Sequence, residues 1–155
     1  MPGDDLVEVL DDDGRVVGVV TRAAMRERNL LHRSVAVFVR RPADGALLVH
    51  RRAGWKDVWP GRWDLAFGGV CGVGEAWVDA AVRELGEEAG VVVSPGDLRP
   101  LGGGRWVDDD VAAVAEAFAV ERDGPFTFPD GEVEEVAWVD AGDLAAWVDA
   151  HEVCP

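Results

Sequence analysis

The stretch from Ala76 to Ala89 constrains the chain more than any other. Val78, Val82, Leu85 and Ala89 recur at spacings of three and four, which at about 100° per residue draws one apolar seam along a helix. Gly90 ends that helix. Away from the seam, Glu84, Glu87 and Glu88 lie within about a third of a turn of one another. Like charges at these spacings weaken a helix by roughly 0.2–0.5 kcal/mol per pair, so the face calls for a counter-charge. It reads either as a solvated acidic surface or as a set of hard oxygen donors, which suit magnesium, with manganese as the alternative. Arg83, four residues before Glu87, is close enough to hold that carboxylate by an ion pair. Ala80 and Ala81 fall on the acidic face one turn earlier, where small side chains leave a shelf above the helix for a diphosphate. Gly86 inside the helix costs about 1 kcal/mol relative to alanine, for no reason visible in the sequence.

A helix with one buried stripe needs a sheet to cover. Leu6 to Val9, the turn Asp11-Asp12-Asp13-Gly14, and Arg15 to Thr21 read as an N-terminal hairpin, followed by a short helix over Ala23 to Arg28. Ser34 to Arg41 and Ala46 to Arg51 read as central strands around the turn Pro42-Ala43-Asp44-Gly45. A tryptophan-rich loop then leads to a short strand, Trp63 to Phe67, ahead of the pair Gly68-Gly69. Strands near Val111 to Val120 and Glu132 to Val139, and a closing helix from about Ala141 to Asp149, complete the pattern. This predicts an α/β fold with a mixed sheet and one domain spanning residues 1–155.

The 155 residues are 48% apolar, and 30 acidic against 15 basic side chains give a formal charge of −15. Such a charge repels nucleic acid and anionic membranes, so any phosphate site must be locally basic. Arg40, Arg41, Arg51, Arg52, Lys56 and Arg62 crowd one stretch, which is either a solvated strand face or a phosphate clamp. Cys71 and Cys154 are far apart and lack metal-ligand spacing, which predicts reduced thiols and a cytoplasmic setting. The N-terminus has no basic, then apolar, leader pattern, and no run of 18 apolar residues occurs, so neither a signal peptide nor a membrane span is expected. Of the seven tryptophans, Trp63, Trp138 and Trp147 lie in apolar periodic segments and read as core, whereas Trp55, Trp59 and Trp106 lie in loops, available for base stacking or for packing.

The whole string decides between the two readings of the acidic face. Gly69, five residues, Glu75, seven residues, then Arg83-Glu84-Leu85-Gly86-Glu87-Glu88-Ala89-Gly90-Val91 resembles the Nudix box at every fixed position. The resemblance to the Nudix hydrolases runs from the N-terminal hairpin to the strand around Trp138, and it implies an α/β/α sandwich. It also implies a divalent cation held by Glu84, Glu87 and Glu88 with the Gly69 carbonyl, and hydrolysis of a diphosphate bond in a nucleoside diphosphate derivative or related organic diphosphate. Glu88 is the first candidate for the general base, then Glu87 or a late acid among Glu132, Glu134 and Glu135, with Arg83 in a positioning role. Arg51, Arg52 and Lys56 are the expected phosphate contacts. The partner is thus a small molecule, with a homodimer as the candidate assembly.

Upstream, Leu31-His32-Arg33, Leu47 to Arg52, and Lys56 through Trp59-Pro60-Gly61 to Trp63 resemble the isopentenyl-diphosphate isomerase branch of the same superfamily. That resemblance implies a catalytic cysteine and metal-binding histidines. Aligning Trp63 and Glu75 puts Gly68 at the cysteine's position and Val70 at the second histidine's, with Cys71 displaced. The expectation is therefore an isomerase-like hydrolase that lacks the isomerase's acid. His32 is an inherited ligand or a structural histidine. The remaining alternatives are isomerisation itself and a non-catalytic ligand sensor, which usually carries a degraded box.

Overall fold

The structure is a computed structural model that describes residues 2–155. The first half runs β1 (Leu6–Leu10), β2 (Val16–Thr21), α1 (Arg22–Glu27), β3 (His32–Arg40), β4 (Leu47–Arg52), β5 (Trp63–Asp64) and β6 (Phe67–Val70). The second runs α2 (Trp77–Ala89), β7 (Arg99–Val107), β8 (Ala112–Glu121), β9 (Val133–Val139) and α3 (Leu144–Ala150), the last preceded by a 3-10 turn over Ala141–Asp143.

β3 is the strand around which the sheet is built. Its alternation buries Val35, Val37 and Val39 on one face and turns Phe38 to the other. It pairs in parallel with β8 from His32↔Ala113 to Arg40↔Glu121, and antiparallel with β6 over Ser34 to Val37. β4 meets β3 only at Arg40↔Leu47, then diverges to pair with β5 and β9, which makes the sheet mixed. On one face α2 packs Ala80, Ala81, Leu85 and Ala89 against Val35, Val37, Phe67 and Phe118. On the other, Leu144 and Trp147 join Leu47, Val49 and Val139, with the Trp63 ring edge-on to Trp147 at 5.3 Å. Helices on both faces of a mixed sheet give the expected α/β/α sandwich, and β1 with β2 forms the expected separate hairpin. No described helix is long and apolar enough to cross a membrane.

Three expectations change. The segment Trp63 to Phe67 is not one strand: β6 starts at Phe67 and continues through the glycine pair. Gly68 makes this possible, because a Cβ there would overlap the Val35 carbonyl oxygen of the neighbouring strand. Second, β7 was not foreseen. It carries Gly102, Gly103 and Gly104, is exposed along its whole length, and sits at the sheet edge beside β8, so it has no buried face to impose alternation. Third, Ala80 and Ala81 form no open shelf. Both are fully buried, and their small side chains let α2 approach the sheet closely.

Candidate active site

The buried face of α2 is wider than its apolar seam. Taking Ala80 as zero at about 100° per residue, Glu84 lies near 40°, Glu88 near 80° and Ala81 near 100°, all inside the arc that meets the sheet. Leu85 and Ala89 continue the arc to about 180°, and Val78, near 160° in the first turn, and Val82, near 200°, lie toward its far side and are only half-buried. Two carboxylates of the acidic face therefore point into the protein. Glu88 is 2% exposed, and the Gly68 N–H donates to its Oε2 at 3.0 Å. Glu84 lies against Gly69, where a Cβ would come within 2.7 Å of Glu84 Oε1, so a side chain at position 69 would displace that carboxylate. Glu87 stands at the rim with 53% of its side chain exposed.

Burial pushes the Glu84 carboxyl up to about 7, with Glu87 and Glu88 adding repulsion and Arg83 opposing it. Arg83 is the organising cation. Its Nε and Nη2 donate to the two oxygens of Glu75 at 2.9 Å each, Nη2 also reaches the Val70 carbonyl at 3.1 Å, and Nη1 bridges Glu84 at 2.8 Å and Glu87 at 3.1 Å. This bidentate pairing holds the Glu75 carboxyl below its ordinary range. Glu75 also accepts from the Gly72 N–H at 2.9 Å, which closes the loop leading into α2. Arg33 fastens the same loop from β3, donating to the carbonyls of Glu75 at 2.7 Å and Gly72 at 3.3 Å.

Glu84 and Glu87 open onto a cleft of about 320 Å³ whose walls also include Gly69, Arg83, Lys56 and Arg22, while the buried Glu88 stands behind it. Its donor chemistry fits a hard divalent cation: carboxylate oxygens, one of them buried and held high, beside a glycine whose missing side chain keeps the floor open. In the arrangement seen, Arg83 occupies oxygens of Glu84 and Glu87, and among the described residues no three acidic, histidine or cysteine side chains converge on one point.

The anticipated phosphate contacts separate. Lys56 reaches the cleft and pairs with Glu132 at 2.8 Å. Arg52 lines an adjoining hollow of about 160 Å³ with Arg22, Arg26 and His32, and pairs with Asp64 at 3.5 Å. Arg51 is not brought to the cleft. On β4, Leu48 and His50 face α2 while Leu47, Val49 and Arg51 face away, and Arg51 is tied to Glu134 at 2.8 Å and Glu135 at 3.3 Å. Of the late acids, Glu132 alone lines the cleft. His32 is buried, its Nδ1 2.9 Å from the Leu30 carbonyl, and burial lowers it to about 4, which marks it as a neutral ring.

Two residues of the cleft escaped the sequence reading. Arg22 opens α1, where the Thr21 hydroxyl caps the helix by accepting from the Ala24 N–H at 3.2 Å. The docking of Val7 and Met25 against Val70 swings this helix over β6 and brings Arg22 to the cleft. Asp130 sits in the turn Pro129-Asp130-Gly131, recognisable from sequence only as a turn, and burial pushes it up to about 6. A further cavity of about 490 Å³ shares Arg22, Lys56, Asp130 and Glu132 with the cleft and carries Trp55, 65% exposed, on its wall.

The NUDIX domain family matches residues 30–153. A Nudix hydrolase of Streptomyces coelicolor is 38% identical over 135 residues, covering 87% of this chain and 72% of the relative. A Nudix hydrolase of Rhodococcus erythropolis is 32% identical over 152 residues, covering 94% and 82%. Among solved structures, the Deinococcus radiodurans protein DR0079 superposes with a TM-score of 0.79 at 26% identity, covering 97% of this chain and 92% of that one. With its box folded as a loop, a helix and a buried carboxylate pair, and with these relatives matched along most of their length, the chain belongs to the Nudix hydrolase family.

Proposed function

We propose that the protein hydrolyses the diphosphate bond of a nucleoside diphosphate derivative, using magnesium held by Glu84, Glu87, Glu88 and the Gly69 carbonyl. One observation carries this reading: a buried, raised carboxyl at the floor of a cleft whose facing wall supplies Lys56 and Arg22. An anionic floor opposite cationic walls suits a metal diphosphate, in which the ion mediates between carboxylate and phosphate. A divalent ion there would supply polarisation of the phosphoryl oxygens and neutralise charge on the leaving group. Lys56, Arg22 and Arg52 bind and orient the phosphates, and Arg83 keeps Glu84 and Glu87 in place through Nη1. Glu87 takes the attacking water's proton, since it is open to solvent while Glu88 is enclosed by Gly68 and the sheet. The organic half of the substrate extends into the neighbouring cavity, where the exposed Trp55 offers a stacking face.

The isomerase reading gains no support from the cleft. Gly68 has no space for a side chain, and Cys71 is buried with its thiol pushed up to about 11, which makes it unreactive. The test is a panel of sugar-nucleotide and dinucleoside diphosphates with magnesium or manganese, run beside Glu84→Gln and Glu87→Gln. Metal-dependent release of a nucleoside monophosphate, lost in both variants, is the expected result. Full activity in both variants, or tight ligand binding with no turnover of any compound, sinks the proposal, the latter in favour of a sensor.

A further inference from the structure

His50 is fully buried on β4, yet neither of its ring nitrogens has a hydrogen-bond partner. Its neighbours on that face are apolar: the ring stacks on Phe67, with centroids 4.3 Å apart and planes at 16°, and Leu48 two residues earlier belongs to the α2-facing core. A buried imidazole without partners is a cost that any apolar side chain of similar size would avoid. Groups left unsatisfied in this way call for an explanation, and here the geometry supplies one. Nε2 lies 3.4 Å from Glu88 Oε1. The other oxygen of Glu88 accepts from the Gly68 N–H at 3.0 Å, so the carboxylate is flanked by a backbone donor on one side and the imidazole on the other. Neither His50 nor Glu88 lines the cleft that Glu84 and Glu87 line; His50 meets the acidic face of α2 at Glu88, behind that wall.

We propose that His50 is a positioning residue for Glu88: stacking on Phe67 holds its ring so that Nε2–H and the Gly68 N–H together set the orientation of the Glu88 carboxylate. This rests on the reading of Glu88 as a ligand of the divalent ion. Partners behind a metal ligand typically change metal affinity about 10–100-fold when they are removed. The ring's stacking and its donor are separable, since phenylalanine keeps the first and lacks the second, whereas glutamine keeps a donor and loses the ring.

The full chain, stripped of metal, is titrated with Mn2+ by calorimetry as the native protein, His50→Phe and His50→Gln, and each is also unfolded in urea with chelator present. His50→Phe is expected to unfold at the same or higher urea concentration than native without metal, while binding Mn2+ about tenfold or more weakly. His50→Gln is expected to recover most of the affinity even though it is no more stable. Native Mn2+ affinity in His50→Phe overturns the proposal while leaving the metal site intact. Equal weakening in both variants, each destabilised without metal, also overturns it, because His50 is then only a packing residue. If the native protein itself binds no Mn2+, the metal reading of Glu88 fails first, and the proposal falls with it.

Discussion

Glu84→Gln tests the electrostatics of the cleft without needing a substrate. In the metal-free protein the Glu84 carboxyl is raised from 4.5 to about 7, first by burial and then by its acidic neighbours. That difference corresponds to roughly 3 kcal/mol of disfavoured ionisation. Because the native state holds this proton more tightly than the unfolded chain does, the contribution is fully present below about pH 4.5 and is lost as pH rises through about 7. Glutamine has the shape of the neutral acid and nothing to lose. Native and variant should therefore differ little at pH 4.5, while at pH 8 with chelator the variant should be more stable by about 3 kcal/mol, or about 6–12 °C in Tm for a chain of this size. Asp130 is also raised, but it is present in both proteins and cancels in the difference. Urea unfolding at pH 4.5, 6 and 8 reads the effect, and millimolar magnesium at pH 8 should raise the native midpoint but not that of the variant. Parallel pH profiles, or a gap under about 1 kcal/mol at pH 8, would refute the account of Glu84 as a strained, cation-seeking carboxylate.

Other consequences are simpler to check. Gly86→Ala should stabilise the protein by about 1 kcal/mol, since a Cβ there meets only the Val91 carbonyl at 3.8 Å, and nothing in the structure explains the glycine; a Tm at or below native would show a constraint not seen here. Gly68→Ala should destabilise by more than about 2 kcal/mol in chemical unfolding, because the Val35 backbone cannot yield cheaply, and a neutral effect would mean that β3 and β6 are not so closely apposed. Glu87→Gln should lower kcat by about a hundredfold or more with little change in metal-free Tm, as expected of an exposed proton acceptor; unchanged kcat would shift that role to Asp130 across the cleft. Trp55→Ala should raise KM for nucleotide substrates about tenfold while leaving kcat near native, whereas an unchanged KM removes the stacking face.

The elements legible from sequence were those whose burial leaves a period. β3 alternates because it has two different faces, β4 is a short run buried on both faces from Leu47 to His50 and set off by the turn before it, α2 carries apolar residues at helical spacing, and the glycine-capped end of α2 falls where the spacing predicts. β7 left no period because nothing covers it. Arg51 and Arg52 looked equivalent because adjacency in a chain says nothing about faces; strand alternation then sent Arg51 to the side away from α2 and into pairs with Glu134 and Glu135.

The sequence by itself determined the family, the α/β/α class and the identity of the metal-ligand candidates, because the box is local and its spacing is a property of one loop and one helix. Only the tertiary structure decided how those residues stand. Whether Glu84 and Glu88 face water or the sheet depends on which arc of α2 meets β3 and β6, and two alanines settle that by letting the helix close in. The supply of Arg22 and Asp130 to the cleft, and of His50 to the buried Glu88, depends on pairings between segments distant in sequence, which a local pattern cannot encode. Burial then raises the carboxyl of Glu84, an effect of desolvation that exists only once the chain has packed.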